Sequence, residues 1–198
     1  MKRTLVTTIT IAAALVASGL LGTVATAASA SPPKLSVMLL SIDQMPTGWS
    51  VGSSGSSHAG CFGNTMEPKG IEQTASASVY FQASDGSQAL NEKLATYTNA
   101  KTGYKKIVAN LAACKHFSGT SGGQKITGGT VGQMSFPSYG NASEAFAVNF
   151  TVQGTSFYED LLIVRKGSIV MGIDEGDLAP VNVSQFQGFV KKAVVKLG

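Results

Sequence analysis

Phe146-Ala147-Val148-Asn149-Phe150-Thr151-Val152, followed by Leu161-Leu162-Ile163-Val164 and Ile169-Val170-Met171-Gly172-Ile173, is the part of the chain whose reading decides the fold. In the first stretch every second residue is large and apolar, which predicts a strand with one buried face. The second is an unbroken apolar run, as suits a central strand covered on both faces. Lys166-Gly167 reads as a two-residue turn, so residues 157–173 are expected to form a hairpin. Upstream, Ile126 to Phe136 gives a weaker strand, loosened by Gly128, Gly129 and Gly132. The second half is therefore an antiparallel meander.

Working outward, Ala75, Ala77, Val79 and Phe81 alternate with small polar residues, predicting another strand over 74–82. Leu90, Leu94 and Tyr97 recur at helical spacing behind a capping Ser84-Asp85, and Tyr104, Ile107, Val108, Leu111 and Cys114 repeat that period, predicting two consecutive helices. Leu35, Met38, Leu39 and Ile42 predict a short helix ending before Pro46. Phe186, Phe189, Val190, Ala193, Val194 and Leu197 form a complete amphipathic stripe, with Ser184 and Gln187 in capping-box spacing. Val51 to Gly60 and Gly119 to Gly123 read as glycine-rich loops. This order argues an α+β fold, a single domain in which helices flank a twisted antiparallel sheet.

The composition agrees. Of 198 residues 43% are hydrophobic and only 13% charged, enough apolar material for one core and too little charge for a disordered chain. The 23 glycines follow no Gly-X-Y period, which excludes collagen. Met1-Lys2-Arg3, the apolar stretch from Leu5 to Val24 and the small residues Ala25 to Ser31 have the three parts of a secretory signal. Residues 1–30 are thus expected to be a signal peptide and 31–198 the mature domain, with cleavage after Ala27 or Ala30; an uncleaved anchor is the alternative. The expected location is secreted or extracytoplasmic, with no membrane span after cleavage. No cysteine precedes Cys61, so a lipid anchor is not expected. Setting Lys2 and Arg3 aside from the 15 basic residues leaves 13 against 11 acidic, too weak a balance for nucleic acid.

In an oxidising compartment Cys61 and Cys114 are expected to form one disulfide. His58 and His116 flank them, so a Cys₂His₂ zinc site and a pH-responsive histidine pair are the alternatives. No Gly-x-Ser-x-Gly elbow accompanies the two histidines, and Gly119 to Lys125 lacks phosphate-loop spacing. Asp174, Glu175 and Asp177 do not match a calcium loop and read as a solvated hairpin exit. No metal and no cofactor are expected.

Leu39-Leu40-Ser41, Met45-Pro46-Thr47-Gly48-Trp49, Val79-Tyr80-Phe81, Leu90 to Tyr97 and Leu111-Ala112-Ala113-Cys114, in that order before the closing strands, resemble the extracellular sensor domain of PknH-type mycobacterial kinases. That resemblance spans most of residues 35–198. It implies an exported actinobacterial α+β domain with a cleft for an unidentified small-molecule or cell-envelope ligand. Those kinase domains carry two disulfides where this chain can form one, and with no kinase in the chain, signalling through a linked kinase is not expected. The expected function is a secreted, non-catalytic, sensor-like binding domain. A carrier of lipid or other apolar envelope molecules and a hydrolase using His58 or His116 are the alternatives. Trp49, Tyr139, Phe157 and Tyr158 lie at predicted strand ends or turns, where aromatics line clefts. With so few charges, binding is expected to rest on such residues and to be insensitive to salt.

Overall fold

The three decisive stretches become neighbouring strands. In a computed structural model describing residues 34–53, 57–121 and 123–198, they are β7 (Ala142–Val152), β8 (Thr155–Lys166) and β9 (Ile169–Asp177). The signal expected over residues 1–30 lies outside this range. The remaining strands are β1 (Trp49–Val51), β2 (Ser57–His58), β3 (Gln73–Ala83), β4 (Gln88–Tyr97), β5 (His116–Ser121) and β6 (Gln124–Met134). Together they make one nine-stranded antiparallel sheet in the order β1-β3-β4-β9-β8-β7-β6-β5-β2. Two helices, α1 (Ala100–Ala113) and α2 (Val183–Lys196), pack on opposite faces. The α+β reading holds, with sheet far outweighing helix.

Leu161 to Val164 are buried, as a strand covered on both faces requires. Leu162 and Val164 face α2 with Leu90, Leu94, Met171 and Ile173, under Phe186, Phe189, Val190 and Ala193. Leu161 and Ile163 face α1 with Phe146, Val148 and Val170, under Ile107 and Leu111. The turn between β8 and β9 is Gly167-Ser168, one residue later than expected, and Gly167 takes it with φ at 60°.

Four local expectations are corrected. Leu90 to Tyr97 is strand β4, because residues four apart share a face in a strand as well as in a helix, and β4 is buried on both sides. Instead of one helix, Leu35–Val37 and Ile42–Gln44 are separate 3-10 turns. The backbone N–H of Leu40 is bound to the Glu92 carboxylate at 2.7 Å and that of Ser41 to the Gln44 side chain at 3.0 Å, so neither continues a helix. Asn182, not Ser184, caps α2, accepting from the N–H groups of Ser184 and Gln185 at 3.1 and 3.3 Å. The acidic run is no solvated exit: Asp174, Glu175 and Asp177 lie in β9, and Glu175 is 0% exposed. In addition, β1, β2 and β5 occupy stretches whose glycines suggested loop.

β1 and β2 form opposite edges of the sheet, yet only six peptide steps join Val51 to Ser57. Such a link reaches at most about 22 Å, whereas nine flat strands would hold their edges about 38 Å apart. The sheet is therefore strongly curled. From β2 the chain returns to β3 across the α1 face, placing Met66 over Gly172, where an added Cβ would stand 3.0 Å from the methionine sulfur. Phe62 stacks on Phe117 at 5.2 Å along the way.

Candidate functional site

The return crossing and α1 enclose a groove on one side of the molecule. Helix α1 places Gly103, Ile107 and Leu111 in the core. A neighbouring stripe, Lys106, Asn110 and Ala113 at i, i+4 and i+7, faces the crossing segment instead. That segment is folded by short turns: Phe62 N–H donates to the Ala59 carbonyl and Glu67 N–H to that of Asn64, each at 3.0 Å. It presents Asn64, Glu67 and Lys69 to the helix. Cys61 and Cys114 are disulfide-bonded at one end, with Cα atoms 5.7 Å apart. The groove between holds about 730 Å³, within the ordinary range for ligand sites.

Its charges are set by specific contacts. Glu67 is bound by Lys93 from the sheet at 3.3 Å, and the Lys93 ammonium is driven to lower pKa mainly by burial. Lys106 donates to the carbonyls of Lys69 and Gly70 at 2.8 and 3.3 Å, tying α1 to the crossing segment away from the disulfide. Tyr97 hydrogen-bonds the Met66 carbonyl from below, and burial pushes its phenol upward.

A second polar constellation lies in the sheet, where β4, β8 and β9 bring carboxylates together. Asp160 stands directly opposite Glu175 on the α2 face. Burial pushes Glu175 up to about 7; Gln185 of α2, donating at 2.6 Å, partly offsets this, while Asp177 and Asp160 add to it. Glu92, also wholly buried, is likewise raised to about 7 by burial, opposed by the Leu40 N–H and by Lys196. One oxygen each of Glu92 and Glu175 has no hydrogen-bond partner among the described residues. On the α1 face, burial raises Asp174 to about 7 against the 3.0 Å bond from Asn91, and Glu159 rises through burial and the charges of Asp174 and Asp160. Among the described residues no group of His, Cys, Asp and Glu is arranged to hold a metal ion. Burial within the sheet shifts Glu92, Glu159, Asp160, Asp174 and Glu175 toward their protonated forms.

The aromatic candidates do not converge. Trp49 packs on Phe189 of α2 at 5.6 Å. Tyr139 leans on Phe136 at 6.2 Å, beside a hollow of about 220 Å³ lined by Pro137, Ser143 and Glu144. Phe157 is buried on the α1 face, stacked on Phe150 at 5.4 Å, and Tyr158 points to the other face opposite Asp177. His116 is exposed next to the disulfide; His58 lies in β2 opposite Thr120. Asn64, Glu67, Lys69, Lys106 and Asn110 were not singled out by the sequence. The available signal was the Lys106, Asn110, Ala113 stripe running off the core face toward Cys114.

A curled antiparallel sheet with one helix on each face and a stapled crossing defines the class of domain. No protein-family model matches the chain, and no curated protein matches its sequence. Among solved structures it is similar to the crystal structure of the extracellular domain of PknH from Mycobacterium tuberculosis, with a TM-score of 0.59 and 12% identity over 82% of this chain and 93% of that one. At that identity the likeness is one of fold. Among the described residues, no helix is long and apolar enough to cross a membrane.

Proposed function

We propose that this chain is an extracytoplasmic, sensor-like binding domain that holds its ligand in the groove between the crossing segment and α1 and does not turn it over. The observation that carries the reading is the groove itself: about 730 Å³, fixed by the disulfide at one end and by Lys106 at the other. A cavity held open by two tethers is pre-organised, which lowers the ordering loss on binding. The similarity of fold to a kinase extracellular domain supports an extracytoplasmic setting. The charged and amide side chains within the mixed lining favour this reading over an apolar carrier, whose cargo would have to lie against Asn64, Lys69 and Asn110. Ala113 lines the groove with its side chain in solvent, so Ala113→Trp fills the space without disturbing the core. Native mass spectrometry of the secreted protein should find a bound molecule on the wild type and none on Ala113→Trp. Retention by the variant, or release of a cleaved product by the wild type, would overturn the reading.

A further inference from the structure

Resting on that groove as the binding site, we infer that its ligand is an acidic saccharide, a hydroxyl-rich chain bearing carboxylate groups. Two lysines and one glutamate line the groove. The glutamate is already neutralised by Lys93 from the sheet, so the lining presents the charges of Lys69 and Lys106 uncompensated. Lys69 is exposed and has no acidic partner among the described residues, and Lys106 keeps one N–H beyond the two given to backbone carbonyls. Lys101, Lys105 and Lys115 are also exposed on or just after α1, outside the lining of the groove. In a chain with only 15 basic residues, this gathering reverses the expectation that charge plays no part in binding.

Polarity runs along the groove. The C-terminal end of α1 lies at the disulfide, where the negative end of the helix dipole disfavours an anion. The Lys106 ammonium stands toward the other end, on the carbonyls of Lys69 and Gly70. A carboxylate therefore belongs at the Lys69 and Lys106 end, where charge-assisted bonds are strongest. Between the ends, Asn64 and Asn110 each offer both a carbonyl and an NH₂ group, the pairing that vicinal hydroxyls satisfy. Small residues and the disulfide form the far end, which suits the less polar face of a sugar ring.

The test is calorimetric titration of the folded, oxidised protein with galacturonic acid trimer, maltotriose, a chitosan trimer and inorganic phosphate. The acidic trimer should bind, weaken with rising salt because exposed charges are screened, and lose about tenfold or more in affinity in Lys69→Glu, whereas Lys191→Glu on the opposite helix should change nothing. Ala113→Trp should abolish binding. If maltotriose or the chitosan trimer binds as tightly and Ala113→Trp still abolishes it, the groove stands and the acidic class falls. Phosphate binding as tight as the acidic trimer would remove the saccharide from the proposal. Binding that survives Ala113→Trp would sink the groove itself, and no binding by the acidic trimer would overturn the inference.

Discussion

The two faces of the sheet are built from the same strands and closed by different means. On the α2 face, a helix with an unbroken apolar stripe, together with the buried Leu35, Leu39, Leu40 and Met45 of the N-terminal segment, meets Phe81, Leu90, Leu94, Leu162 and Ile173 across a matched apolar core. On the α1 face, the helix shares the cover with an irregular crossing rich in small and polar residues, held by one disulfide and one lysine. Matched apolar surfaces seal; a tethered segment leaves space. The difference locates the adaptable side of the molecule.

The largest effect expected from breaking the sealed face is that of Phe186→Ala. Phe186 is wholly buried between α2 and the sheet and touches Phe136 at 5.3 Å. Removing such a ring is expected to destabilise by about 3 to 5 kcal/mol, read as the midpoint shift in denaturant unfolding. A loss below about 1 kcal/mol would mean that this face is not closed by packing.

Opening the other face should act through the tether. Cys61→Ser with Cys114→Ser frees a loop of 53-residue separation, a loss of roughly 4 kcal/mol in the chain-entropy model, comparable to or slightly below the ring deletion. The two variants should differ in where exchange rises: amide hydrogen exchange should increase over residues 59–71 and α1 in the serine variant, with α2 protected. Equal loosening of both faces would mean that the disulfide does not act on the α1 face alone.

Protons sharpen the comparison next. Glu92 and Glu175 are raised in the folded protein from 4.5 to about 7, so between those values the folded state holds more protons than the unfolded. Their contribution is therefore complete below the unfolded value and is lost as pH rises through the folded one. Melting temperature should fall from pH 5 toward pH 8. For Glu92 the shift corresponds to roughly 3 kcal/mol, and Glu92→Gln, which still accepts from Leu40, should remove about that part of the pH slope. An unchanged slope would show that Glu92 ionises freely in the fold.

These contrasts mark what could be read from the chain. The strands of the meander were legible because Phe146, Val148, Phe150 and Val152 alternate and Leu161 to Val164 do not, which is the difference between one covered face and two. β4 was not, since burial on both faces removes alternation and leaves Leu90 and Leu94 at a spacing that helix and strand share. The buried acids were hidden for a related reason: sequence shows Glu175 as a charge, while its burial beside Gln185 is set by α2 arriving from elsewhere in the chain. Cys61 and Cys114 announced the tether. The groove depends on what lies across from α1, and no local pattern in Asn64 to Lys69 states that.

The smallest expected effect concerns the two histidines beside the tether. His116 is exposed and has no hydrogen-bond partner for its ring among the described contacts, and the adjoining sulfurs are bonded to each other. A zinc site would need both thiolates released, and a hydrolase would need a nucleophile and an orienting acid around an imidazole. His116→Ala should accordingly shift stability by less than about 0.5 kcal/mol, as surface substitutions do, and His58→Ala is its companion variant for the zinc and probe readouts. Added zinc should leave the melting temperature of wild type and variants alike, and a serine-directed activity probe should label none of them. A zinc-dependent rise in melting temperature that either variant abolishes would mean that the tethered face carries a metal centre, and the groove would then have to be understood as its opening.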